Sequence, residues 1–279
     1  MAASLQSATR TAIRQLKPHS DSAALDVELL LSHVLKRDRV WLFTHPERIL
    51  APQQELKFSA LLARRLRGEP LAYLTGERDF YEHRFRVSRH TLIPRPETEV
   101  IVERVLALTD ADQPFQLLDL GTGCGAIALS IALKRPNAMI VATDVSDKAL
   151  DVARANAHRL RAPNVEFCTG SWYACVPGRR FDIVVSNPPY VERDPETPID
   201  PALRYEPPLA LFAGRDGLDA VQAVAGGALD ALYPGGTLLL EHGAGQAHAV
   251  GVILSAHGLA VEGCHKDLGG RYRVTEASA

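Results

Sequence analysis

The apolar residues of the 279-residue chain follow two different periodicities, one before and one after about residue 100. In the first 75 residues they recur at steps of three and four, which is typical of amphipathic helices. One apolar stripe contains Ala24, Val27, Leu31, Val34 and Leu35, and a second, between Pro52 and Arg67, contains Phe58, Leu61, Leu62 and Leu66. This part of the chain is therefore predicted to be a small helical bundle.

From residue 116 onward, short apolar runs alternate with helical patterns. The predicted strands are Gln116–Leu120, Met139–Thr143, Val165–Cys168, Phe181–Ser186 and Thr237–Glu241, and the predicted helices are Ala126–Lys134, Asp147–His158, Leu218–Leu232 and Gln246–Ala256. This alternation predicts a doubly wound, mostly parallel sheet. Two final strands, Leu259–Cys264 and Arg271–Thr275, are separated by a short loop. They are predicted to be antiparallel because a short loop cannot make a parallel crossover.

A connecting segment joins the two regions. Polar and apolar residues alternate from Phe80 to Val87, which predicts a short antiparallel hairpin with Phe80 and Phe85 on opposite faces. The next stretch, Ile93-Pro94-Arg95-Pro96-Glu97-Thr98-Glu99, is stiffened by two prolines. Thr98 is expected to cap the helix that follows. A stiff, charged loop at this place suits a gate over a ligand site and a plain hinge equally well.

The composition is that of an ordinary globular protein, with 46% hydrophobic and 23% charged residues and a formal net charge of −2. The chain has no run of about 18 apolar residues and no leader pattern at its start, so a cytoplasmic location is expected. The four cysteines form no C-x-x-C pair and have no histidine cluster beside them. We expect reduced, mostly buried thiols and no metal site.

Charge is distributed unevenly along the chain. Residues 1–95 carry 16 Lys and Arg against 10 Asp and Glu, whereas the remainder carries 15 against 23. This asymmetry fits a simple difference in composition between two modules. It also fits a basic surface that faces an acidic or nucleic-acid-associated partner.

A glycine-rich turn follows the first predicted strand of the α/β region. The turn consists of Gly121, Thr122, Gly123, Cys124 and Gly125. Glycines let the backbone turn tightly and approach a ligand without a clash at Cβ. Asp144 lies 19 residues past Gly125, at the end of the next strand, where a carboxylate can accept hydrogen bonds from ribose hydroxyls. Together these features predict a site for an adenosine-containing cofactor.

Two classes of cofactor fit this pattern. Gly121, Gly123 and Ala126 satisfy the dinucleotide pattern G-x-G-x-x-A, so NAD is one candidate. Asp119, just before the turn, would repel a pyrophosphate but suits the ammonium group of an amino-acid tail. S-adenosylmethionine has such a tail and is therefore favoured. Trp172 follows the third strand, where it is expected either to border the adenine or to belong to the core.

The most specific stretch is Asn187-Pro188-Pro189-Tyr190, which follows an apolar run that is predicted to be a buried strand. The two prolines end the strand in a stiff turn because neither has an N–H to donate. Open α/β sheets bind their ligands at such strand ends. The turn presents an amide, carbonyl oxygens without a sheet partner and an aromatic ring. It is predicted to hold a planar group that has both donors and acceptors.

The glycine loop, the acidic residue and the proline turn, in this order, resemble class I S-adenosylmethionine-dependent methyltransferases that act on amide or exocyclic amine nitrogens. Within that class the whole chain is similar to the peptide chain release factor glutamine methyltransferases, the PrmC/HemK family. Further matching stretches are Ile93–Glu99, Arg204-Tyr205-Glu206-Pro207, Gly214-Arg215-Asp216-Gly217 and Leu268-Gly269-Gly270-Arg271. Cys124 stands where Thr or Ser is expected in the family, but its backbone N–H is retained.

The resemblance implies an α/β fold with a Rossmann-like, mostly parallel seven-stranded sheet, an antiparallel last strand and a small N-terminal helical domain. The expected domains are a helical substrate-recognition domain at 1–75, a hairpin and linker at 76–97 and a methyltransferase domain at 98–279. The implied substrate is the glutamine of the Gly-Gly-Gln motif in bacterial class 1 peptide chain release factors. The helical domain would help to dock the release factor.

The resemblance also implies roles for individual residues. Residues expected to bind S-adenosyl-L-methionine are Asp119, Gly121, Thr122, Gly123, Cys124, Gly125, Asp144, Trp172 and Asn187. Residues expected to bind the substrate amide are Asn187, Pro188, Pro189 and Tyr190, of which Asn187, Pro188 and Tyr190 are expected to be catalytic. Asn187 Oδ1 and the Pro188 carbonyl can each accept one N–H of an amide, which would align its nitrogen for transfer. No catalytic His or Cys is expected.

Three alternatives stay open. A DNA adenine methyltransferase would use the same turn on a flipped base. However, no region resembles a target-recognition domain and the α/β region is net acidic, so no direct nucleic-acid substrate is expected, and no membrane partner either. A non-catalytic S-adenosylmethionine-binding protein and a dinucleotide oxidoreductase are the other two. The sequence does not identify the release factors, the N-terminal residues that contact them or the oligomeric state.

Overall fold

The computed structural model describes residues 4–193 and 200–279. These residues form two compact units. The smaller unit contains the described residues up to Glu77 together with 200–205, and the larger one contains the described residues from Arg78 onward apart from 200–205.

The described residues of the smaller unit form five helices. These are α1 (Leu5–Leu16), α2 (Ala23–Leu35), α3 (Arg39–Thr44), α4 (Pro52–Leu66) and α5 (Leu71–Thr75). Their apolar faces meet in one core, in which Leu16, Val27 and Leu31 are fully buried. Such burial of amphipathic faces is the main stabilising contribution in a bundle of short helices. The predicted helical bundle is therefore confirmed.

The chain continues as an alternation of strands and helices. In order they are β1 (Glu77–Phe80), β2 (His83–Arg86), α6 (Glu99–Leu108), β3 (Gln116–Leu120), α7 (Ala126–Lys134), β4 (Met139–Asp144), α8 (Asp147–Leu160), β5 (Val165–Thr169), β6 (Phe181–Ser186), α9 (Asp219–Ala231), β7 (Leu232–Glu241), α10 (Ala247–Ala256), β8 (Ala260–Lys266) and β9 (Tyr272–Ser278). Short 3₁₀ turns lie at Pro96–Thr98, Leu203–Tyr205 and Pro208–Ala210.

The strands from β3 to β9 form one sheet in the order β5-β4-β3-β6-β7-β9-β8. The pairs among β3 to β7 are parallel, whereas β9 is antiparallel to both β7 and β8. The predicted fold class, with its antiparallel last strand, is thus confirmed. Strand order reverses between β3 and β6, so the crevice at their carboxyl ends is where a ligand site is expected.

Two local predictions need correction. The strand predicted at Thr237–Glu241 begins five residues earlier, at Leu232, because Leu232 already pairs with Phe181 of β6. Residues 233–236 then form an irregularity before the regular pairing resumes at Thr237. In the hairpin, Phe80 and Phe85 were predicted on opposite faces, yet both are buried and their rings meet edge to face with centroids 6.0 Å apart. The two-residue turn between β1 and β2 resets the alternation, and Tyr81 takes a left-handed φ of 52° there.

No helix in the described part of the chain is both long enough and apolar enough to cross a membrane.

Candidate active site

A cavity of about 360 Å³ lies in the larger unit at the carboxyl ends of the central strands. This volume is at the lower end of the range for small-molecule sites. Of the predicted site residues, the cavity is lined by Gly121, Thr122, Gly123, Cys124, Asp144, Trp172, Asn187, Pro188 and Pro189. Asp119, Gly125 and Tyr190 are not among the residues that line the cavity.

The glycine loop faces the cavity with bare backbone. Gly121 and Gly123 have φ angles of 75° and 58°, and a Cβ on either would meet nothing within 4 Å in the described part of the chain. A Cβ on Gly125, by contrast, would lie 2.9 Å from Leu129 Cδ1 and 3.3 Å from Ala153 Cβ. The first two glycines therefore leave room for a ligand, and the third allows close packing of α7 and α8.

Asp119 is a fully buried carboxyl just behind this loop. The hydroxyl of Thr122 donates to its Oδ2 at 2.6 Å. Oδ1 completes no hydrogen bond of good geometry with the described residues, although the N–H of Ala128 lies close enough to lower the pKa of the acid. Burial raises the pKa of Asp119 to about 7. An unsatisfied buried acceptor is costly, so this oxygen fits a cationic group that is brought by a ligand.

Asp144 connects β4 to the glycine loop. Its Oδ2 accepts the N–H of Gly123 and its Oδ1 accepts the N–H of Ser146, both at 2.9 Å. Burial raises the pKa of Asp144. Each carboxylate oxygen has a further lone pair, so Asp144 can shape the loop and also accept hydrogen bonds from a ligand in the cavity.

Trp172 and Cys124 form two apolar parts of the cavity wall. Trp172 lies partly buried against the core with a left-handed φ of 51°, and it lines the cavity. Cys124 is buried, and this burial raises the pKa of its thiol to about 12. The carbonyl of Cys124 accepts a hydrogen bond at 2.9 Å from Nδ2 of Asn156, which is a buried residue that the sequence did not single out.

The proline turn leaves β6 directly beside the glycine loop. Asn187 Nδ2 donates to Thr98 Oγ1 at 3.0 Å. The expected capping by Thr98 is wrong, because Thr98 has helical dihedral angles and makes no side-chain cap bond to the described residues of α6. Its buried hydroxyl lies in the cavity wall instead.

Tyr190 anchors the far end of the turn. Its hydroxyl donates to Glu241 Oε1 at 3.3 Å, and its carbonyl accepts Gln246 Nε2 at 3.2 Å. Glu241 is fully buried at the end of β7. This residue was not predicted from the sequence, although a carboxylate directly after a run of three leucines marks its position there.

The segment at 93–97 is held by a second buried carboxylate, Glu206. Its Oε2 accepts the N–H of Ile93 at 3.0 Å, and its Oε1 pairs with Arg95 Nη2 at 2.5 Å. Pro94 lines the cavity. Within the Arg-Tyr-Glu-Pro motif, Glu206 therefore supports the wall of the site and Pro207 lines it, and the use of the segment at 93–97 as a gate stays a prediction.

The described residues contain no group of three His, Cys, Asp or Glu side chains that could hold a metal ion. They do bring a bare glycine loop, the carboxylate of Asp144 and a rigid amide-bearing turn to one cavity at the switch point of a doubly wound sheet. Together with the antiparallel last strand, this arrangement defines an S-adenosylmethionine-dependent methyltransferase.

Comparisons with known proteins support this class and identify the family within it. Residues 7–76 match the PrmC N-terminal domain, and residues 98–199 match the methyltransferase small domain. The chain is 47% identical to a release factor glutamine methyltransferase from Xylella fastidiosa, over 90% of this chain and 91% of that one. It is 42% identical to one from Bordetella pertussis, over 95% and 98% of the two chains.

The fold also matches a solved methyltransferase from Pyrococcus furiosus, with a TM-score of 0.51 and 20% identity over 82% of this chain and 98% of that one. The chain belongs to the family of release factor glutamine methyltransferases. The predicted family and the predicted cofactor, S-adenosylmethionine, are thereby confirmed.

Proposed function

We propose that this enzyme transfers a methyl group from S-adenosyl-L-methionine to the side-chain amide nitrogen of the glutamine in the Gly-Gly-Gln motif of bacterial class 1 peptide chain release factors. The observation that carries the proposal is a single cavity lined by both the glycine loop and the Asn-Pro-Pro turn. One part suits a cofactor with an amino-acid tail and a ribose, and the other suits a planar amide. Family membership connects this pair of sites to release factors as substrates.

We assign the cofactor to the loop side of the cavity. Gly121 to Gly125 would surround its methionine part, and the carboxyl of Asp119 behind the loop would favour the ammonium group. Asp144 would accept hydrogen bonds from the ribose, and Trp172 would border the adenine. When bound, S-adenosylmethionine supplies an electrophilic methyl group on a positively charged sulfur.

We assign the substrate amide to the proline turn. Because Asn187 Nδ2 is bound to Thr98, its Oδ1 is the atom available to accept one amide N–H. The Pro188 carbonyl would accept the other, and Pro189 and Tyr190 would pack against the flat group. The amide nitrogen is a weak nucleophile because its lone pair is delocalised. Two carbonyl dipoles that face the nitrogen stabilise the positive charge that develops on it, and alignment accounts for much of the acceleration. As the nitrogen takes the methyl group from sulfur, it releases one of its two protons to water.

We infer that the helical domain at 1–75 helps to dock the release factor, with a linker at 76–97 before the catalytic domain at 98–279. Exposed Val40 and Phe43 on α3, beside exposed Lys36 and Arg37, form a surface of the kind that binds a protein partner. A cytoplasmic location stays a prediction.

A transfer assay with a radiolabelled methyl donor tests the proposed function. Purified class 1 release factors are expected to be labelled, and release factors in which the Gly-Gly-Gln glutamine is replaced by alanine are not. Duplex DNA serves as the competing acceptor. Labelling of DNA, or equal labelling of the substituted release factor, would contradict the proposal.

A further inference from the structure

Glu241 is a buried acid beside the proline turn that the mechanism above does not use. In the register of β6 and β7, Ser186 pairs with Leu240, so Asn187 and Glu241 leave neighbouring strands side by side. The carboxyl of Glu241 is fully buried. An acid is rarely placed at such a position without a compensating interaction, because its burial is costly.

Two hydroxyls face this carboxyl. Tyr190 donates to Oε1 at 3.3 Å. The hydroxyl of Thr98 also lies close enough to lower the pKa of the acid against the larger effect of burial. Oε2 completes no hydrogen bond of good geometry with the described residues. The carboxyl can therefore accept a further hydrogen bond from a neighbouring hydroxyl.

An ionised carboxylate fixes the direction of the hydrogen bonds around it. It can only accept, so a hydroxyl that faces it must donate. A Thr98 hydroxyl that points its proton at Glu241 can only accept from Asn187. The structure shows this direction, with Asn187 Nδ2 as donor to Thr98 Oγ1.

The direction matters because an Asn side chain can be placed in two orientations that exchange oxygen and nitrogen. With Nδ2 toward Thr98, Oδ1 is free to accept an amide N–H from the substrate. In the reverse orientation, Nδ2 would face the substrate and would repel its N–H groups. Selecting one orientation in advance removes a reorganisation step from catalysis.

We propose that Glu241 is a positioning residue that acts through Thr98 to hold the Asn187 amide with its oxygen toward the substrate. Through Tyr190 it also fixes the aromatic end of the same turn. This inference rests on the proposed function, because it assumes that Asn187 binds the substrate amide.

The charges around Glu241 determine when it is ionised. Burial raises its pKa to about 7. Thr98, Tyr190 and Arg273 favour the carboxylate, and Glu97 opposes it. Arg273 is itself held by Asp267 at 2.9 Å, and Tyr190 faces the acid from the turn. Because the ionised form is the one that orients Thr98, kcat is expected to rise with pH through about 7.

The test is the variant Glu241→Gln, which keeps the size of the side chain but can donate as well as accept. We expect kcat for release factor methylation, at saturating cofactor, to fall roughly 10- to 100-fold, which is the scale for loss of alignment at a reacting group. Affinity for S-adenosylhomocysteine, measured by calorimetry, should change less than twofold. The rise of kcat through about pH 7 should disappear.

Two comparisons separate positioning from a loss of structure. Glu276→Gln alters another buried carboxylate, which pairs with Arg104 and His265 outside the cavity, and should leave kcat and its pH profile unchanged. Thr98→Val removes the relay hydroxyl and should resemble Glu241→Gln, whereas Thr98→Ser keeps the hydroxyl and should retain much more activity. All variants are checked for thermal stability first.

Each outcome has a definite meaning. Wild-type kcat with a wild-type pH profile in Glu241→Gln would overturn the positioning role while leaving the proposed function intact. If kcat and S-adenosylhomocysteine affinity fall by the same factor, Glu241 is a structural residue, and the positioning role is overturned as well. If the wild-type enzyme does not label release factors at all, the proposed function itself fails, and this role fails with it.

Discussion

The two polar side-chain atoms of Asn187 have different partners. Its Nδ2 is bound to Thr98 inside the protein, which leaves Oδ1 for the substrate. The following prolines hold the backbone in a fixed, extended turn, since their φ angles are locked. The Asn187 side chain therefore loses little conformational entropy when the substrate binds. Catalysis by alignment depends on such a fixed geometry.

Removing this side chain should separate cofactor binding from chemistry. In Asn187→Ala we expect S-adenosylmethionine affinity to stay within severalfold of wild type, because the glycine loop and Asp144 are untouched. Methyl transfer should fall by about 100-fold or more, the scale for the loss of an electrostatic contact to the developing charge. Single-turnover transfer to a release factor checks this, with exposed Asn137→Ala as the control. Near-normal turnover in Asn187→Ala would be incompatible with the role assigned to the turn.

Asp144 is expected to act on binding rather than on chemistry. Asp144→Ala should weaken S-adenosylmethionine binding by about 1–3 kcal/mol, the scale for losing a charged hydrogen-bond partner. Part of this loss comes from the loop, because Gly123 and Ser146 lose an acceptor for their N–H groups. Isothermal calorimetry measures the change against exposed Asp151→Ala. An unchanged dissociation constant would argue against the ribose assignment.

Elements whose signals are local could be predicted from the sequence. The bounds of β3 and β6 agree with the prediction because each is an apolar run ended by glycine or proline. The glycine loop and the proline turn were each predicted at the end of a strand for the same reason, whereas the pairing of those two strands is known only from the structure. Local stereochemistry and periodicity suffice for such features.

Features that depend on distant partners were missed. Residues 233–236, in β7, contain a Pro-Gly-Gly stretch that is typical of a turn, yet Gly235 and Gly236 exchange backbone hydrogen bonds with Ala279 at the other end of the chain. Thr98 was expected to serve its own helix, but its hydroxyl contacts Asn187, 89 residues away. Glu241 and Asn156 likewise have partners that no local pattern reveals.

Asn156 shows how one buried side chain joins three elements. From α8 it accepts the N–H of Arg86 at 2.8 Å, and it donates to the carbonyls of Arg86 and Cys124 at 2.9 Å each. Asn156→Ala would leave these backbone groups without a partner, so we expect the free energy of unfolding to fall by about 2–4 kcal/mol. Urea unfolding of this variant and of exposed Asn137→Ala makes the comparison. Equal stability of the two variants would show that water replaces the lost contacts.

At the scale of the whole molecule, the described part of the catalytic unit keeps two fully buried acids that folding makes harder to ionise, Asp119 and Glu241. Burial raises the pKa of both Asp119 and Glu241 to about 7. The paired carboxylate of Glu276 behaves in the opposite way, because the hydrogen bond from Arg104 lowers its pKa. The two acids that oppose stability at neutral pH lie behind the two halves of the candidate site, which is where a folded protein tolerates such a cost.

Asp119→Asn isolates one of these costs. A pKa raised by folding means that the acid contributes stability below its unfolded value of 3.8 and that this contribution is lost as pH rises through about 7. Asparagine stays neutral throughout. The variant should match wild type near pH 4 and become more stable relative to it by up to about 4 kcal/mol at pH 8, at 1.36 kcal/mol per unit of pKa shift. Urea unfolding across this pH range measures the difference, with exposed Asp151→Asn expected to show none.

Asp119→Asn also removes the charge that faces the cofactor's ammonium group, so S-adenosylmethionine affinity should fall while stability rises. If Asp119→Asn is no more stable than wild type at pH 8 and binds S-adenosylmethionine equally well, Asp119 is neutral in the working enzyme.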